Sequence, residues 1–298
     1  VIGAGAVGLA VARILAMNGR DVILLEAAEA IGTGISSRSS EIIHAGIYYP
    51  KGSLKASLCV EGKKLLYDYC ASHGVEHRKC GKLVVATSSS QLKTLEKIQS
   101  AAIDNEVSDL QHLDKIQTKK LEPELYTSGA LLSPSTGIID THGLMLAYQG
   151  DAEDHGMMIA FGARVVGGSL ENNGIRLSVT GKSSLDLRCN LVINCAGLSA
   201  QEIAASITEF PRVHIPELHY AKGNYFILNG KSPFSHLIYP VPEEAGLGVH
   251  LTLDMAGQVR FGPDVEWVDE LEYSVDPRRG QLFYTAIRNY WPSLPDFS

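Results

Sequence analysis

The sequence predicts an α/β fold in two parts, and three observations lead to that prediction. Strand and helix patterns alternate over the first 26 residues, which is typical of a βαβ unit in a parallel sheet. A strand that breaks at a glycine and enters a helix returns late in the chain, at "LVINCAGLSAQEIA" (191–204). Short apolar runs separated by turn residues follow residue 222, which indicates a second, antiparallel sheet.

The opening segment, "VIGAGAVGLAVARILAMNGRDVILLE" (1–26), predicts a dinucleotide site. The end of an apolar strand enters Gly3-x-Gly5-x-x-Gly8, and a helical pattern and a second buried strand follow. Glu26 closes that strand 18 residues after Gly8, near the roughly 20 residues expected for a ribose-binding acid. The glycines permit a tight turn, a close approach of the backbone to a pyrophosphate and close packing of the helix. This unit does not distinguish FAD from NAD.

Composition and charge exclude several other classes of protein. The chain has 298 residues and a formal net charge of −7, so a nucleic-acid-binding face is not expected. The five cysteines are scattered without a CxxC pair, which favours a reducing compartment and predicts no metal site. No apolar run approaches the roughly 20 residues of a membrane span. The chain starts on "VIGAG" without a methionine, so we expect a piece of a longer protein.

Apolar periodicity predicts the remaining elements. The predicted helices are 54–73, 90–107 and 141–156, the first with an apolar stripe of Leu54, Leu58, Leu65, Leu66 and Tyr69. The predicted strands are 81–88, a buried strand at 191–194, and the short strands 223–228, 236–241, 247–254 and 258–263. A hairpin turn is predicted at Asn173-Gly174.

Three further strings resemble the L-2-hydroxyglutarate dehydrogenase/oxidase group of the D-amino-acid oxidase superfamily. They are "SSRSSEIIHAGIYY" (36–49), "GKLVVAT" (81–87) and "YPVPEEAGLGVHLTLDMAGQVRFGPDVEW" (239–267). The resemblance implies a Rossmann-type FAD-binding domain with an inserted α+β substrate domain containing an antiparallel sheet. The expected boundaries are 1–80 and 136–205 for the FAD-binding domain, and 81–135 and 206–298 for the substrate domain. Members of the family continue past the end of this chain with a tail that contacts the flavin.

The activity implied by the resemblance is oxidation of (S)-2-hydroxyglutarate, a 2-hydroxy dicarboxylic acid, to 2-oxoglutarate by hydride transfer to FAD. A quinone-type electron acceptor is expected, with a mitochondrial location in a eukaryote and a cytoplasmic or membrane-associated one otherwise. Three alternatives stay open. They are an amino-acid or glycine-type oxidase of the same fold, a non-catalytic truncated flavoprotein, and a dehydrogenase that uses nicotinamide alone.

Oxidation of a C–H bond beside a hydroxyl needs a base for the hydroxyl proton, and histidine has a suitable pKa. His44 and His250 are the two candidates, although either side chain could instead serve packing. The resemblance places the Ser/Arg patch before His44 along the flavin pyrophosphate and ribityl chain. The candidate cofactor-binding residues are Gly3, Gly5, Gly8, Glu26, Ser37, Arg38, Ser39, Val165 and Gly197.

The two carboxylates of a five-carbon diacid require cationic or hydroxyl donors. Lys222, Tyr239 and Arg260 are the candidates, because each lies in or beside a predicted strand of the substrate domain. Alternation along a strand makes an ordinary surface position equally compatible with each of them.

Overall fold

A computed structural model describes residues 1–241 and 248–296 of the chain. The chain divides into two compact units. The first comprises Val1–Ser39 and Asp140–Leu218, and the second comprises Ser40–Ile139 and His219–Ser298. The predicted strand 247–254 begins at a residue that lies outside the described part of the chain.

The described residues form helices and short strands in both units. The α-helices are α1 Ala6–Met17, α2 Leu54–His73, α3 Leu92–Asp104, α4 Lys115–Leu121, α5 Thr141–Asp154, α6 Ala200–Ser206 and α7 Gly280–Arg288. The strands are β1 Ile23–Leu25, β2 Ile42–Ile43, β3 His77–Arg78, β4 Lys82–Ala86, β5 Gln111–Asp114, β6 Gly129–Ser133, β7 Gly137–Ile139, β8 Met158–Ala160, β9 Arg164–Glu171, β10 Gly174–Thr180, β11 Leu185–Cys189, β12 Ile207–Thr208, β13 Tyr220–Lys222, β14 Phe226–Ile227, β15 Leu237–Pro240, β16 Leu251–Leu253, β17 Val259–Phe261 and β18 Glu266–Val268.

Parallel pairing organises the amino-terminal part of the first unit. Strands β1 and β8 pair in parallel, and Ile2 forms parallel bridges to Leu25 on one side and to Asn194 on the other. Ile2 therefore lies between β1, which is close to it in sequence, and the segment at Asn194, which is distant from it in sequence. In parallel α/β sheets, such a reversal of strand order opens a crevice at the carboxyl ends of the strands.

Helix α1 packs its buried face against the sheet and α5. Gly8, Leu9, Ala12 and Ala16 are its buried residues, so they follow the predicted helical spacing. Leu24, Met145 and Ala152 belong to the same core cluster. The predicted strand, glycine turn, helix and second strand are all present in the predicted order.

The second sheet of this unit corrects two local predictions. Its order is β11-β10-β9-β12, and the β9–β10 hairpin turns at residues 172 and 173, with Gly174 already in the strand opposite Glu171. The turn was therefore predicted one residue too late. The strand predicted as buried at 191–194 has Leu191 65% exposed, and it contributes only the bridge at Asn194.

The second unit contains a seven-stranded mixed sheet. Its order is β14-β17-β16-β15-β4-β6-β5, in which β15 and β4 pair in parallel and the other neighbours pair antiparallel. All five residues of β4 are buried, as expected for a strand covered on both faces. Smaller sheets, β2-β7-β3 and β13-β18, complete the unit. The predicted class, an α/β nucleotide-type domain joined to an α+β part with antiparallel strands, is confirmed.

Helix α2 has the predicted bounds but a different buried face. Ser53 caps its start by accepting from the Ala56 N–H, and the left-handed Gly74 ends it. The buried residues are Ala56, Tyr67 and Cys70. The predicted apolar stripe is wrong as a core face, because three of its leucines, Leu54, Leu58 and Leu65, are 77%, 60% and 59% exposed.

The two compact units differ from the predicted domain boundaries. Residues 40–80 lie in the second unit because β2 and β3 pair with β7 on either side. Residues 206–218 lie in the first unit, where β12 pairs with β9. The functional division into a FAD-binding and a substrate domain stays a prediction.

Candidate active site

The glycine motif forms a tight loop directly after Ile2, the residue that bridges Leu25 and Asn194. Gly3 has a φ of +97°, and a β-carbon there would lie 2.5 Å from the Cys195 carbonyl oxygen. A β-carbon on Gly8 would overlap the Gly3 carbonyl oxygen. Both positions therefore require glycine for steric reasons. Within the first unit, the loop thus brings Ile2 and the start of α1 close to the segment around Cys195.

The start of α1 has the character of an anion site. Gly5 is its N-cap and has no side chain of its own to cap the helix, and the first turn contains no acidic residue. Free N–H groups and the positive end of the helix dipole favour a phosphate at such a position. The Ser36 hydroxyl accepts from the Ala6 N–H at 3.0 Å, which places one serine of the predicted patch beside the loop.

Glu26 lies at the end of β1, beside the same loop. One carboxylate oxygen accepts from the Ala4 N–H at 2.7 Å, and the other accepts from the Ala28 N–H at 2.8 Å. These bonds fix the carboxylate at the end of the strand. Each oxygen retains a further acceptor site, so a ribose hydroxyl could still donate to it.

The remaining cofactor candidates occupy different environments in the first unit. Ser37 and Arg38 lie in the short 3₁₀ turn Ile35–Arg38, and Ser39 caps its end. The Ser37 hydroxyl donates to the Gly34 carbonyl at 2.8 Å, so it supports the turn. Val165 is buried in the core with Leu177 and Val179. Their contact with a cofactor stays a prediction.

Gly197 lies at the carboxyl end of the late segment. Its φ is +57°, and a β-carbon there would lie 3.2 Å from Ile35 Cδ1. Asn194 stabilises the preceding turn, since its side chain accepts from the Ala196 N–H and donates to the Ala200 carbonyl. The late segment and the Ile35–Arg38 turn are thus in contact within the first unit.

In the second unit, His44 follows β2 in a partly buried loop. Burial, together with the charges of Lys82 and Lys55, lowers the pKa of His44 to about 4. No hydrogen bond of the His44 ring is formed within the described residues. Its backbone carbonyl accepts from the Cys59 thiol at 3.4 Å. Near pH 7 this imidazole is therefore neutral and has an open acceptor nitrogen.

His250 is positioned by the register of the central sheet. Ile238 of β15 pairs with Leu251 of β16, and the same register continued by one residue places His250 opposite Tyr239. The two rings stack at 3.7 Å with an interplanar angle of 8°. Burial lowers the pKa of His250 to about 4, helped by the charges of Lys82 and His44. His250 is therefore also neutral near pH 7, and its ring is held in place.

Lys82 lies at the centre of this group of rings. Its side chain is 0% exposed, and its Nζ lies 4.7 Å from the Tyr48 ring centroid and 4.6 Å from that of Tyr239. Nζ has no hydrogen-bond partner among the described residues. Burial lowers the pKa of Lys82 to about 7, while the Cys59 thiol raises it.

The sequence reasoning missed Lys82 and Tyr48. The string "KLVVA" did contain a signal, because it opens an otherwise apolar strand with a lysine. Alternation places Lys82 on the same face as Val84 and Ala86, both fully buried. A lysine on a buried face is rare unless it is paired, so the pattern itself indicates a functional position.

Of the predicted substrate-binding residues, Tyr239 belongs to this cluster. Burial raises the pKa of Tyr239, and the Tyr225 hydroxyl adds to that effect. Arg260 lowers the otherwise raised pKa of Tyr225, and its guanidinium contacts Asp254 at 3.4 Å. Arg260 is thus connected to the cluster through Tyr225.

Lys222 is engaged elsewhere in the second unit. Its ammonium lies 3.5 Å from Glu266 and 3.4 Å from Glu272, and it donates to the Ser274 carbonyl at 3.0 Å. The structure therefore shows Lys222 joining β13 and β18 to the segment that follows. Its predicted contact with the substrate stays a prediction.

Within residues 1–241 and 248–296, no group of three or more His, Cys, Asp or Glu side chains could hold a metal ion. The helices in that part of the chain are all too short or too polar to cross a bilayer.

A family model described as "FAD dependent oxidoreductase" matches residues 1–298. This chain belongs to that FAD-dependent oxidoreductase family. The resemblance inferred from the sequence is confirmed, and FAD is the cofactor of the family.

Relatives of known name support the same conclusion. The chain is 42% identical to "L-2-hydroxyglutarate dehydrogenase, mitochondrial" of Arabidopsis thaliana over 100% of this chain and 70% of the relative. It is 31% identical to the protein of the same name from Homo sapiens, over 89% of this chain and 60% of the relative. The chain therefore spans between 60% and 70% of these two relatives.

Solved structures share the fold at lower sequence identity. One is L-alpha-glycerophosphate oxidase from Mycoplasma pneumoniae with FAD bound, with a TM-score of 0.86 and 23% sequence identity. The match covers 99% of this chain and 78% of the oxidase chain. Another is glycine oxidase from Geobacillus kaustophilus, with a TM-score of 0.81 and 17% sequence identity. That match covers 98% of this chain and 77% of the glycine oxidase chain.

The residues of the first unit fit FAD. Glycine is required at Gly3 and Gly8 for steric reasons, and the first turn of α1 contains no acidic residue, so this loop suits a diphosphate. Glu26 suits a ribose hydroxyl at the end of the second strand. The first unit thus holds candidate partners for both the phosphates and the ribose of FAD beside one loop.

Proposed function

We propose that this protein oxidises (S)-2-hydroxyglutarate to 2-oxoglutarate with FAD as the hydride acceptor. The observation that carries the proposal is the pair of neutral, half-buried imidazoles, His44 and His250, grouped around one buried ammonium in the second unit. Family membership and the names of the relatives support the substrate class.

The reaction breaks the C2–H bond and the O–H bond of the substrate and forms a carbonyl. FAD, when bound, supplies the acceptor for the hydride from C2. The proton of the hydroxyl group passes to a ring nitrogen of one of the two histidines, which gains a positive charge. Both imidazoles are neutral near pH 7, because their pKa values of about 4 lie well below that pH. Each can therefore accept a proton without first losing one, as a weaker base than an ordinary imidazole of pKa about 6.5.

The stacked pair His250 and Tyr239 gives the cluster one rigid wall. A ring held against another ring loses little rotational freedom when substrate binds, which favours a fixed position for the hydroxyl group. Tyr239 and Arg260 are proposed to donate to the substrate. Burial raises the pKa of Tyr239, so its hydroxyl stays protonated and remains a donor.

The electron acceptor and the compartment are also proposals. The relatives are named dehydrogenases and mitochondrial, which supports an acceptor other than oxygen and a mitochondrial location if the source is a eukaryote. A quinone-type acceptor is the one that the sequence resemblance implies.

Anaerobic mixing of the FAD-loaded protein with substrate tests this function. We expect the (S) enantiomer of 2-hydroxyglutarate to bleach the flavin absorbance, and the (R) enantiomer and glycine to leave it unchanged. A quinone analogue should then restore the colour faster than dissolved oxygen does.

Two results would contradict the proposal in different ways. Bleaching by amino acids, with hydrogen peroxide released in air and no response to 2-hydroxyglutarate, would favour an amino-acid oxidase of the same fold. Failure of the protein to take up FAD would favour a non-catalytic flavoprotein.

A further inference from the structure

We propose that the ammonium group of Lys82 binds a carboxylate of the substrate inside the second unit. This inference rests on the function proposed above, because that function supplies a 2-hydroxy dicarboxylate as the ligand. It assigns a substrate-binding role to a residue on the central strand β4 that was not among the candidates named from the sequence.

The first argument is the state of the Lys82 side chain. The residue is 0% exposed, and Nζ has no hydrogen-bond partner among the described residues. A buried, unpaired ammonium is costly, and ordinary lysines extend their charge to water instead. The faces of Tyr48 and Tyr239 offset part of that cost. An anionic ligand at Nζ would offset the rest.

The second argument is the chemistry of the surrounding groups. The titratable groups around Lys82, and those next to them, are Cys59, Tyr48, Tyr239, His44 and His250, with Tyr49, Tyr225, Cys80, Lys55 and Lys63 beside these. None of them is a carboxylate. Burial keeps the tyrosines and the thiol protonated, and the histidines are neutral near pH 7. Within residues 1–241 and 248–296, the cluster therefore contains positive charge without a carboxylate beside it, and so favours an anion.

A neutral lysine amine could instead serve as the base for the hydroxyl proton. The two roles require opposite protonation states. A carboxylate-binding Lys82 works as the ammonium, so binding weakens as pH rises through about 7, the pKa of the free protein. A base works as the free amine, so kcat/KM would rise through the same pH. The direction of the pH dependence distinguishes the two roles.

The other groups do not obscure this signal between pH 6.5 and 8.5. His44 and His250 have pKa values of about 4, and substrate carboxylates are ionised throughout the range. The Cys59 thiol has a pKa raised above its usual value, so it remains protonated for the most part. Lys82 is therefore the cluster residue that changes charge in this window.

The test measures binding of glutarate to the FAD-loaded protein by calorimetry. Glutarate has two carboxylates and no hydroxyl, so it binds without turnover. We expect its affinity to fall about 20-fold between pH 6.5 and 8.5, as follows from a single group of pKa about 7 that must be protonated. Near pH 8, titrations in two buffers of different ionisation enthalpy should show uptake of about one proton per glutarate bound.

Three variants separate the charge of Lys82 from its packing. Lys82→Met should bind glutarate at least about 10-fold more weakly at pH 6.5, show no pH dependence and take up no proton. It should also unfold at a higher temperature than the parent in the absence of ligand, because it removes a buried charge that has no hydrogen-bond partner among the described residues. Lys82→Arg keeps its charge, so whatever affinity it retains should not vary with pH. Lys115→Met, which removes an exposed lysine over the Tyr126 ring, should match the parent in every respect.

Three outcomes would overturn the inference. They are glutarate affinity that does not vary with pH in the parent, unchanged affinity in Lys82→Met, and kcat/KM for 2-hydroxyglutarate that rises through pH 7 and loses that rise in Lys82→Met. Failure of the proposed function looks different. Glutarate would then still bind with the Lys82 pH dependence, while 2-hydroxyglutarate would leave the flavin oxidised.

Discussion

Replacing Gly8 by alanine is expected to deprive the protein of bound FAD. The new β-carbon would overlap the Gly3 carbonyl oxygen, so the start of α1 must move away from Gly3. A displacement of this kind costs about 1–3 kcal/mol in a packed region, and the phosphate-binding N–H groups move with the helix. Each 1.4 kcal/mol is about tenfold in affinity, so we expect a loss of about 10- to 100-fold. The ratio of flavin to protein absorbance after desalting measures it.

A matched substitution separates loss of the site from a general effect of alanine. Gly150 lies in α5 of the same unit, and a β-carbon there would meet no atom within 4 Å. Gly150→Ala should retain a full complement of FAD and gain a little stability, since alanine is the better helix former. If Gly8→Ala binds FAD as tightly as Gly150→Ala, the glycine loop is not the phosphate site.

Alanine at the proton acceptor should lower the rate of flavin reduction by about 10²–10⁴-fold, the usual contribution of a general base. We expect this loss at His44 or at His250 and a smaller one, below about tenfold, at the other. Both are neutral near pH 7, so charge does not order them. His250 is held by its stack on Tyr239, whereas the His44 ring makes no hydrogen bond within the described residues. Stopped-flow reduction by (S)-2-hydroxyglutarate gives the two rates.

His112→Ala is the control for these variants, because His112 is exposed on β5 of the same unit. Its rate of reduction should equal that of the parent. Losses below tenfold at both His44 and His250 would show that neither imidazole accepts the proton. The pH profile adds a check, since protonation of these histidines should impair reduction only near pH 4, not between pH 5 and 7.

The structure of the amino-terminal βαβ unit could be predicted because the residues that determine it are close together in the sequence. Gly3, Gly8 and Glu26 all lie within the first 26 residues. The motif itself explains why glycine is needed at two positions of the loop and why an acid follows the next strand. The apolar spacing of α1 agrees with its buried face. Local propensity and tertiary packing point to the same structure there, so the prediction was confirmed.

Helix α2 shows where periodicity fails. Leu54, Leu58 and Leu65 have helical spacing but are exposed, while the smaller Ala56 and Cys70 face the core with Tyr67. Which face of a helix is buried depends on its partners, and those come from distant strands such as β7. A pattern within 20 residues does not contain that information.

The candidate site was only half predictable for a related reason. His44 and His250 were named from their residue type and their neighbours, but their proximity to Lys82 of β4 depends on how distant segments of the chain pack together. The stack of His250 on Tyr239 follows from the β15–β16 register, which no sequence pattern fixes. Lys222 was named from a plausible position, yet its ammonium is engaged by Glu266 and Glu272.

A crystal structure of the FAD-loaded protein with glutarate tests most directly whether the cluster around Lys82 is the substrate site. We expect a glutarate carboxylate oxygen within hydrogen-bonding distance of Lys82 Nζ, about 2.7–3.2 Å. We also expect the methylene next to a carboxylate, the position that carries the hydroxyl group in the substrate, to face His44 or His250. Glutarate bound elsewhere, with Lys82 Nζ still between the rings of Tyr48 and Tyr239 and without an anionic partner, would contradict this account.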